Sequence, residues 1–89
     1  MSTLKKPMHP GELLYKAYMK PSELTITDLA EKLGLSTSSI SRLVSGKSEL
    51  SYAMAVRLSN VFKRTPEGWM NIQVAYGLSK AREELSEVL

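Results

Sequence analysis

A single histidine, His9, and no cysteine leave this chain little with which to break bonds. Without cysteine there is no thiolate nucleophile, no disulfide and no cysteine-bound zinc. A Ser-His-acid set needs its serine on a sharp strand-to-helix turn, and no serine here stands in that context. His9, directly before Pro10, reads as a helix cap instead. Glu83, Glu84 and Glu87 resemble a carboxylate cluster, but Lys80 and Arg82 stand beside them and the set reads as a solvated helix face. Neither an enzyme activity nor a metal or other cofactor is expected. What remains is the chemistry of recognition. Thr37, Ser38, Ser41 and Arg42 fall on one side of a helical stretch whose other side is Ile40, Leu43 and Val44. Short hydroxyls and a guanidinium at that spacing suit the base edges of a DNA groove, where Ser and Thr accept several bases and Arg prefers guanine. A plainly solvated polar face is the alternative that residue type leaves open.

The charge is distributed to match. Residues 1–64 hold ten Lys or Arg against five acids, a net +5, whereas residues 65–89 hold two against four, a net −2. A basic body with an acidic end fits a nucleic-acid face and a separate protein-facing end, although an ordinary mixed surface fits the charges as well. With 89 residues the chain has a thin stability margin, which oligomerisation commonly widens. Met1–Lys6 lacks the apolar run of a signal peptide, and no stretch is long enough to span a bilayer. A soluble cytoplasmic protein is expected.

The elements that must position these residues announce themselves by their starts. His9-Pro10, Thr25 with Asp28, and Ser36 each read as a cap, followed by helices from 10, 26 and 37. Glu12 is expected to reach back to the first cap, and Leu24–Leu29 and Leu35–Ile40 are expected to act as apolar staples. Gly34 and Gly46 can stop the second and third helices in left-handed backbone, and Pro21 is expected to end the first at about residue 19. A fourth helix after Ser51 turns Met54, Val56, Leu58, Val61 and Phe62 inward. A fifth starts at Pro66, with Trp69, Ile72, Gln73 and Tyr76 along one stripe; Gly77 ends it, and 79–88 form a short last helix. No stretch alternates as a strand does. The chain therefore reads as an all-α single domain over 1–89, with 1–7 a flexible arm.

Only Gly34, Leu35 and Ser36 separate the second and third helices, the spacing of a helix-turn-helix over 26–45, with recognition helix 37–45. The stretch 26–47, I-T-D-L-A-E-K-L-G-L-S-T-S-S-I-S-R-L-V-S-G-K, resembles the phage-repressor (XRE, Cro/cI-like) helix-turn-helix. H-P-G-E at 9–12 and T-P-E-G-W-M-N-I-Q at 65–73 are similar to the flanks of HigA/VapI-type antitoxins. The resemblance covers about 8–78. It implies that Ala30 packs against the facing helix and Gly34 makes the turn. It also implies that backbone amides and the lysine of Ser45-Gly46-Lys47 meet phosphate, and Thr25, Thr27, Ser36 and Ser39 are assigned to the same role. Lys63 stands where the family commonly has glycine, so the turn either bends differently or strains a lysine; Gly68 replaces a bulky aromatic.

The resemblance further implies an antitoxin that autorepresses its operon at a palindromic operator and neutralises a HigB-like RNA-cleaving toxin. A plain repressor without a toxin, and a scaffold that binds no DNA, are the alternatives. Residues 66–89 carry more apolar side chains than one face can bury, so a homodimer through Trp69, Met70, Ile72, Tyr76 and Leu85 is expected. A basic toxin would favour acidic docking patches, either Glu83, Glu84 and Glu87 or Glu12 and Glu23.

Overall fold

Each helix is opened by a local side-chain bond. In the computed structural model, which describes residues 6–86, α1 (Pro10–Leu13) follows His9, whose Nδ1 accepts from the Gly11 N–H at 2.9 Å. α2 (Ile26–Leu33) opens on a complete capping box: Asp28 N–H donates to Thr25 Oγ1 at 3.0 Å, and Thr25 N–H to the Asp28 carboxylate at 3.1 Å. The Ser36 hydroxyl accepts from the Ser39 N–H to start α3 (Thr37–Val44). α4 (Tyr52–Val61) and α5 (Pro66–Ser86) begin in the same way at Ser51 and Thr65. Each cap satisfies an amide that a helix start would leave unpaired, worth about 1 kcal/mol. Glu12 departs from expectation and pairs with Lys16, one turn along, at 2.7 Å. The described residues form five helices and no strand, with α1 continuing as a π-helix.

That π-helix, Leu14–Met19, was not foreseen. Lys20 N–H bonds the Tyr15 carbonyl five residues back. The helix ends at Met19 as expected, although its cap Lys20 keeps helical angles (φ −61°, ψ −47°) despite the proline that follows. A proline ring in an α-helix presses on the carbonyl four residues back, and the wider π turn relieves that crowding. The chain then reverses at Glu23, which is left-handed at φ 55°. Glu23 and Leu24 N–H groups donate to the carbonyls of Lys20 and Met19, a closure usually built with glycine. Gly34 and Gly46 adopt left-handed backbone as expected (φ 69° and 80°).

Further corrections concern the second half. α5 runs unbroken through Gly77, so no separate short helix forms between 79 and 86. Phe62 turns extended (φ −116°, ψ 156°) and Lys63 is not left-handed, so the turn bends differently and spares the lysine. In α4 Leu58 is buried and Met54 and Phe62 pack against the core as expected, Ala55 joins them, and Val56 and Val61 are exposed instead.

The core takes one stripe from every helix: Leu14, Leu29, Leu33, Ile40, Leu43, Leu58 and Trp69 among others. Ala30 is buried as the family resemblance implied, and Leu24 and Leu35 pack on the core edge. Lys6 and Pro7, expected in a flexible arm, lie along α5, where Lys6 Nζ meets the Glu83 carboxylate at 2.7 Å. Glu87 falls outside the described residues, as does the rest of the arm. No helix among the described residues is long and apolar enough to cross a membrane.

Candidate nucleic-acid interface

Ile40 and Leu43 bury one side of α3 completely or nearly so, which leaves Thr37, Ser38, Ser41 and Arg42 exposed on the other. Ser38 is partly committed, its hydroxyl lying 3.2 Å from that of Ser36. Among the described residues, no side-chain bond restrains Thr37, Ser41 or Arg42, so these three are free to meet a ligand. The first turn of α3 carries no acid. Its N-terminal end therefore keeps the positive partial charge of the helix dipole, a favourable neighbour for phosphate.

The residues assigned to phosphate divide into two groups. Thr25, Thr27 and Lys47 are exposed; Thr25 accepts a bond in its cap but keeps an O–H to donate. Ser36 caps α3, Ser39 is half-buried 3.0 Å from the Ser36 hydroxyl, and Ser45 donates to the Arg42 carbonyl at 3.2 Å. Ser45 spends its hydroxyl proton within the chain. The N–H groups of Ser45, Gly46 and Lys47, expected to meet phosphate, donate to the carbonyls of Ser41, Leu43 and Arg42, so of this stretch the Lys47 side chain is what remains for phosphate. The cause is local: serines at helix ends find nearby backbone partners first.

Other residues, not singled out for this role by sequence, fix α2, α3 and the loop after α3 in place. A Cβ at Gly11 would sit 1.7 Å from the Leu43 carbonyl oxygen, so only glycine lets the start of α1 lie flush on the end of α3. His9 Nε2 bonds the Ser48 carbonyl at 3.1 Å, and Gln73 Oε1 accepts from the Leu50 N–H at 2.7 Å. Arg57 donates to the Leu33 carbonyl at 2.6 Å and so closes the end of α2 with a cation. The H-P-G-E motif was the available signal for Gly11, and the flank and stripe of the fifth helix held Gln73 without showing its partner; nothing marked Arg57.

The expected dimer residues do not share one surface. Trp69 is wholly buried, with the Tyr18 ring 5.4 Å away and the Arg64 guanidinium 5.5 Å from its own. Tyr76 meets the His9 ring edge-on at 4.9 Å, and half-buried Ile72 lines a hollow with Pro7, Met8 and Leu13. Trp69, Ile72 and Tyr76 thus serve the interior of one chain. Met70 and Leu85 instead join a second apolar stripe with Val74 and Leu78, in which Val74, Leu78 and Leu85 are 52%, 47% and 60% exposed. α5 is apolar on two faces, and periodicity alone does not say which one is inside.

The profile of the helix-turn-helix family matches residues 16–69. Virulence-associated protein A of Dichelobacter nodosus is 35% identical over 88 residues, covering 98% of this chain and 86% of the relative. The solved antitoxin GraA superposes with TM-score 0.89 at 32% identity, covering 94% of this chain and 90% of its own. A Pseudomonas aeruginosa antitoxin HigA, solved with the higBA promoter, gives 0.87 at 30% identity, with 91% and 88% covered. Arg42 and Lys47 stand on the open side of a helix-turn-helix that shares its whole frame with these proteins, and the chain belongs to the XRE-type helix-turn-helix family, among the HigA-type antitoxins and related regulators.

Proposed function

We propose that this chain is a cytoplasmic homodimeric antitoxin that binds a palindromic operator, represses its own operon and neutralises an RNA-cleaving toxin of the HigB type. The observation that carries the reading is the open face of α3, where Thr37, Ser41 and Arg42 stand free beside exposed Lys47. Whole-chain likeness to antitoxins, one of them solved with promoter DNA, supports the regulatory role. It also argues against a scaffold without DNA. Arg42→Ala should cost about 1–3 kcal/mol on the operator and relax choice at one base pair, and Lys47→Ala should weaken all duplexes alike. Titrations on operator and random duplex decide this. Equal losses for Arg42→Ala on both would remove its base-reading role.

Two-fold operators are read by dimers whose recognition helices lie about 34 Å apart. The outer stripe of α5, Met70, Val74, Leu78 and Leu85, is the surface we assign to that dimer, with Tyr52 and Val56 of α4 beside Met70. Leu78→Glu should give a monomer in sedimentation with its helical content intact; an unchanged dimer would move the interface elsewhere.

A plain repressor is the second reading, and one observation favours it. Glu12 and Glu83, members of the acidic patches expected to receive a basic toxin, are each paired with a lysine of the same chain at 2.7 Å. Co-expression with the toxin encoded beside it, scored by growth rescue, separates the two readings. Operator binding without rescue would leave the repressor.

A further inference from the structure

Two hydrogen bonds from outside the helix-turn-helix end on the loop that carries Lys47. His9 and Gln73 are only 7% and 9% exposed. His9 Nδ1 accepts from the Gly11 N–H, so the imidazole proton resides on Nε2. Nε2 donates it to the Ser48 carbonyl across 39 residues of sequence. Gln73 reaches the same loop from α5 and takes the Leu50 N–H at 2.7 Å. On its other side the loop is tied to α3: the N–H groups of Lys47 and Ser48 both donate to the Arg42 carbonyl, at 2.8 and 3.3 Å. Backbone on both sides of Lys47 is therefore held, while its side chain stays exposed.

Burial alone does not call for these residue types. An imidazole and an amide lose hydration when buried, and an apolar side chain would fill the same space without that loss. What the polar groups add is direction, because each bond fixes one loop peptide. Gln73 and Tyr76, which braces the His9 ring, both stand on the inner face of α5. We infer that His9 and Gln73 are positioning residues for DNA binding. They act through the loop peptides to present the Lys47 side chain to phosphate, and they tie that contact to α5. The inference rests on the DNA-binding reading above.

A double-mutant cycle on the full-length protein tests it. His9→Asn keeps a capping acceptor for the Gly11 amide but is too short to reach Ser48. Affinity is measured at two salt concentrations, on a random-sequence duplex and on the sequence upstream of the chain's own gene. His9→Asn should weaken both duplexes by about fivefold to tenfold and flatten the salt dependence, as losing one phosphate contact does. In a Lys47→Ala background it should change little, because the group it positions is gone. His9→Gln, whose amide extends toward Ser48, should recover most of the loss. Gln73→Met repeats the cycle through the second bond. Additive losses in the double variants would overturn the inference, as would losses that track the unfolded fraction in thermal melts. If both single variants fail to fold, the bonds serve folding alone and the inference falls. A wild-type chain that binds neither duplex overturns the DNA reading as well, and no variant is needed to see it.

Discussion

The helix-turn-helix and the long α5 are built on opposite terms. In α2 and α3 the shaping bonds are short-range apart from that of Arg57 to the Leu33 carbonyl: Thr25 with Asp28, Ser36 with Ser39, and the Leu35 N–H with the Ala30 carbonyl across the Gly34 turn. α5 and the segment before α1 instead work at a distance. His9 to Ser48 spans 39 residues, Gln73 to Leu50 spans 23, and the bond from Arg64 to Tyr18 at the base of α5 spans 46. Local bonds shape the reading head, and distant ones aim it. An operator-binding surface needs both, since a well-formed recognition helix set an ångström away from phosphate contributes little.

The contrast breaks most sharply at Gly11. Its missing Cβ is what lets α1 touch the Leu43 carbonyl, and the obstructing atoms are backbone that no rotamer can move aside. Gly11→Ala should therefore cost about 3 kcal/mol, at the upper end for an overpacked site. Denaturant unfolding measures it. A loss within a few tenths of a kcal/mol would mean that the α1–α3 contact does not aim the helix.

Removing a local bond should cost less. Ser36→Ala strips the cap of α3 and should lose about 1 kcal/mol, with partial recovery in Ser36→Asp. Unchanged unfolding in Ser36→Ala would show that packing of Ile40 and Leu43 carries α3 alone. The same division decides what could be read from the sequence. Thr25, Ser36 and Gly34 declare their roles within a few positions, so α2, α3 and the polar face followed from residue order. His9 was legible as a cap because Pro10 follows it, but its second nitrogen answers to Ser48, which no local pattern reveals. Trp69 and Met70 are adjacent and both apolar; only the packed fold buries one wholly and leaves the other half-buried at the core's edge, at the head of the outer stripe. Gly77 signals a helix end, yet the distant contacts of α5 hold the helix through it.

Glu23 sharpens the contrast from the opposite direction, because there a local rule is violated. A left-handed non-glycine residue carries about 1–2 kcal/mol of strain. Glycine would remove it while giving the unfolded chain more freedom, worth about 0.4–1 kcal/mol. Glu23→Gly should therefore stabilise the chain by about 0.5–1 kcal/mol, read as a higher melting temperature. Destabilisation would show that the exposed glutamate earns its place through contacts of its side chain.

The smallest effect is also the most local, and it is read through pH. The amide and hydroxyl of Thr25 hold the Asp28 carboxyl below its ordinary value of 3.8. A group with a lower pKa folded than unfolded stabilises the fold fully above its unfolded value, and that contribution disappears as the pH falls through the lowered one. Melting wild type and Asp28→Asn side by side, from neutral pH down through the carboxylate range, should show a gap that is constant near neutrality and closes in acid. Glu83 is also held low, by its hydrogen bond and charge attraction to Lys6, but it titrates alike in both proteins and cancels in the difference. Asp28 is fully exposed, so solvent screening keeps the gap small. A gap that persists unchanged to the acid end would assign the effect of Asp28 to the shape of its side chain rather than to its charge, and would remove electrostatics from the cap of α2.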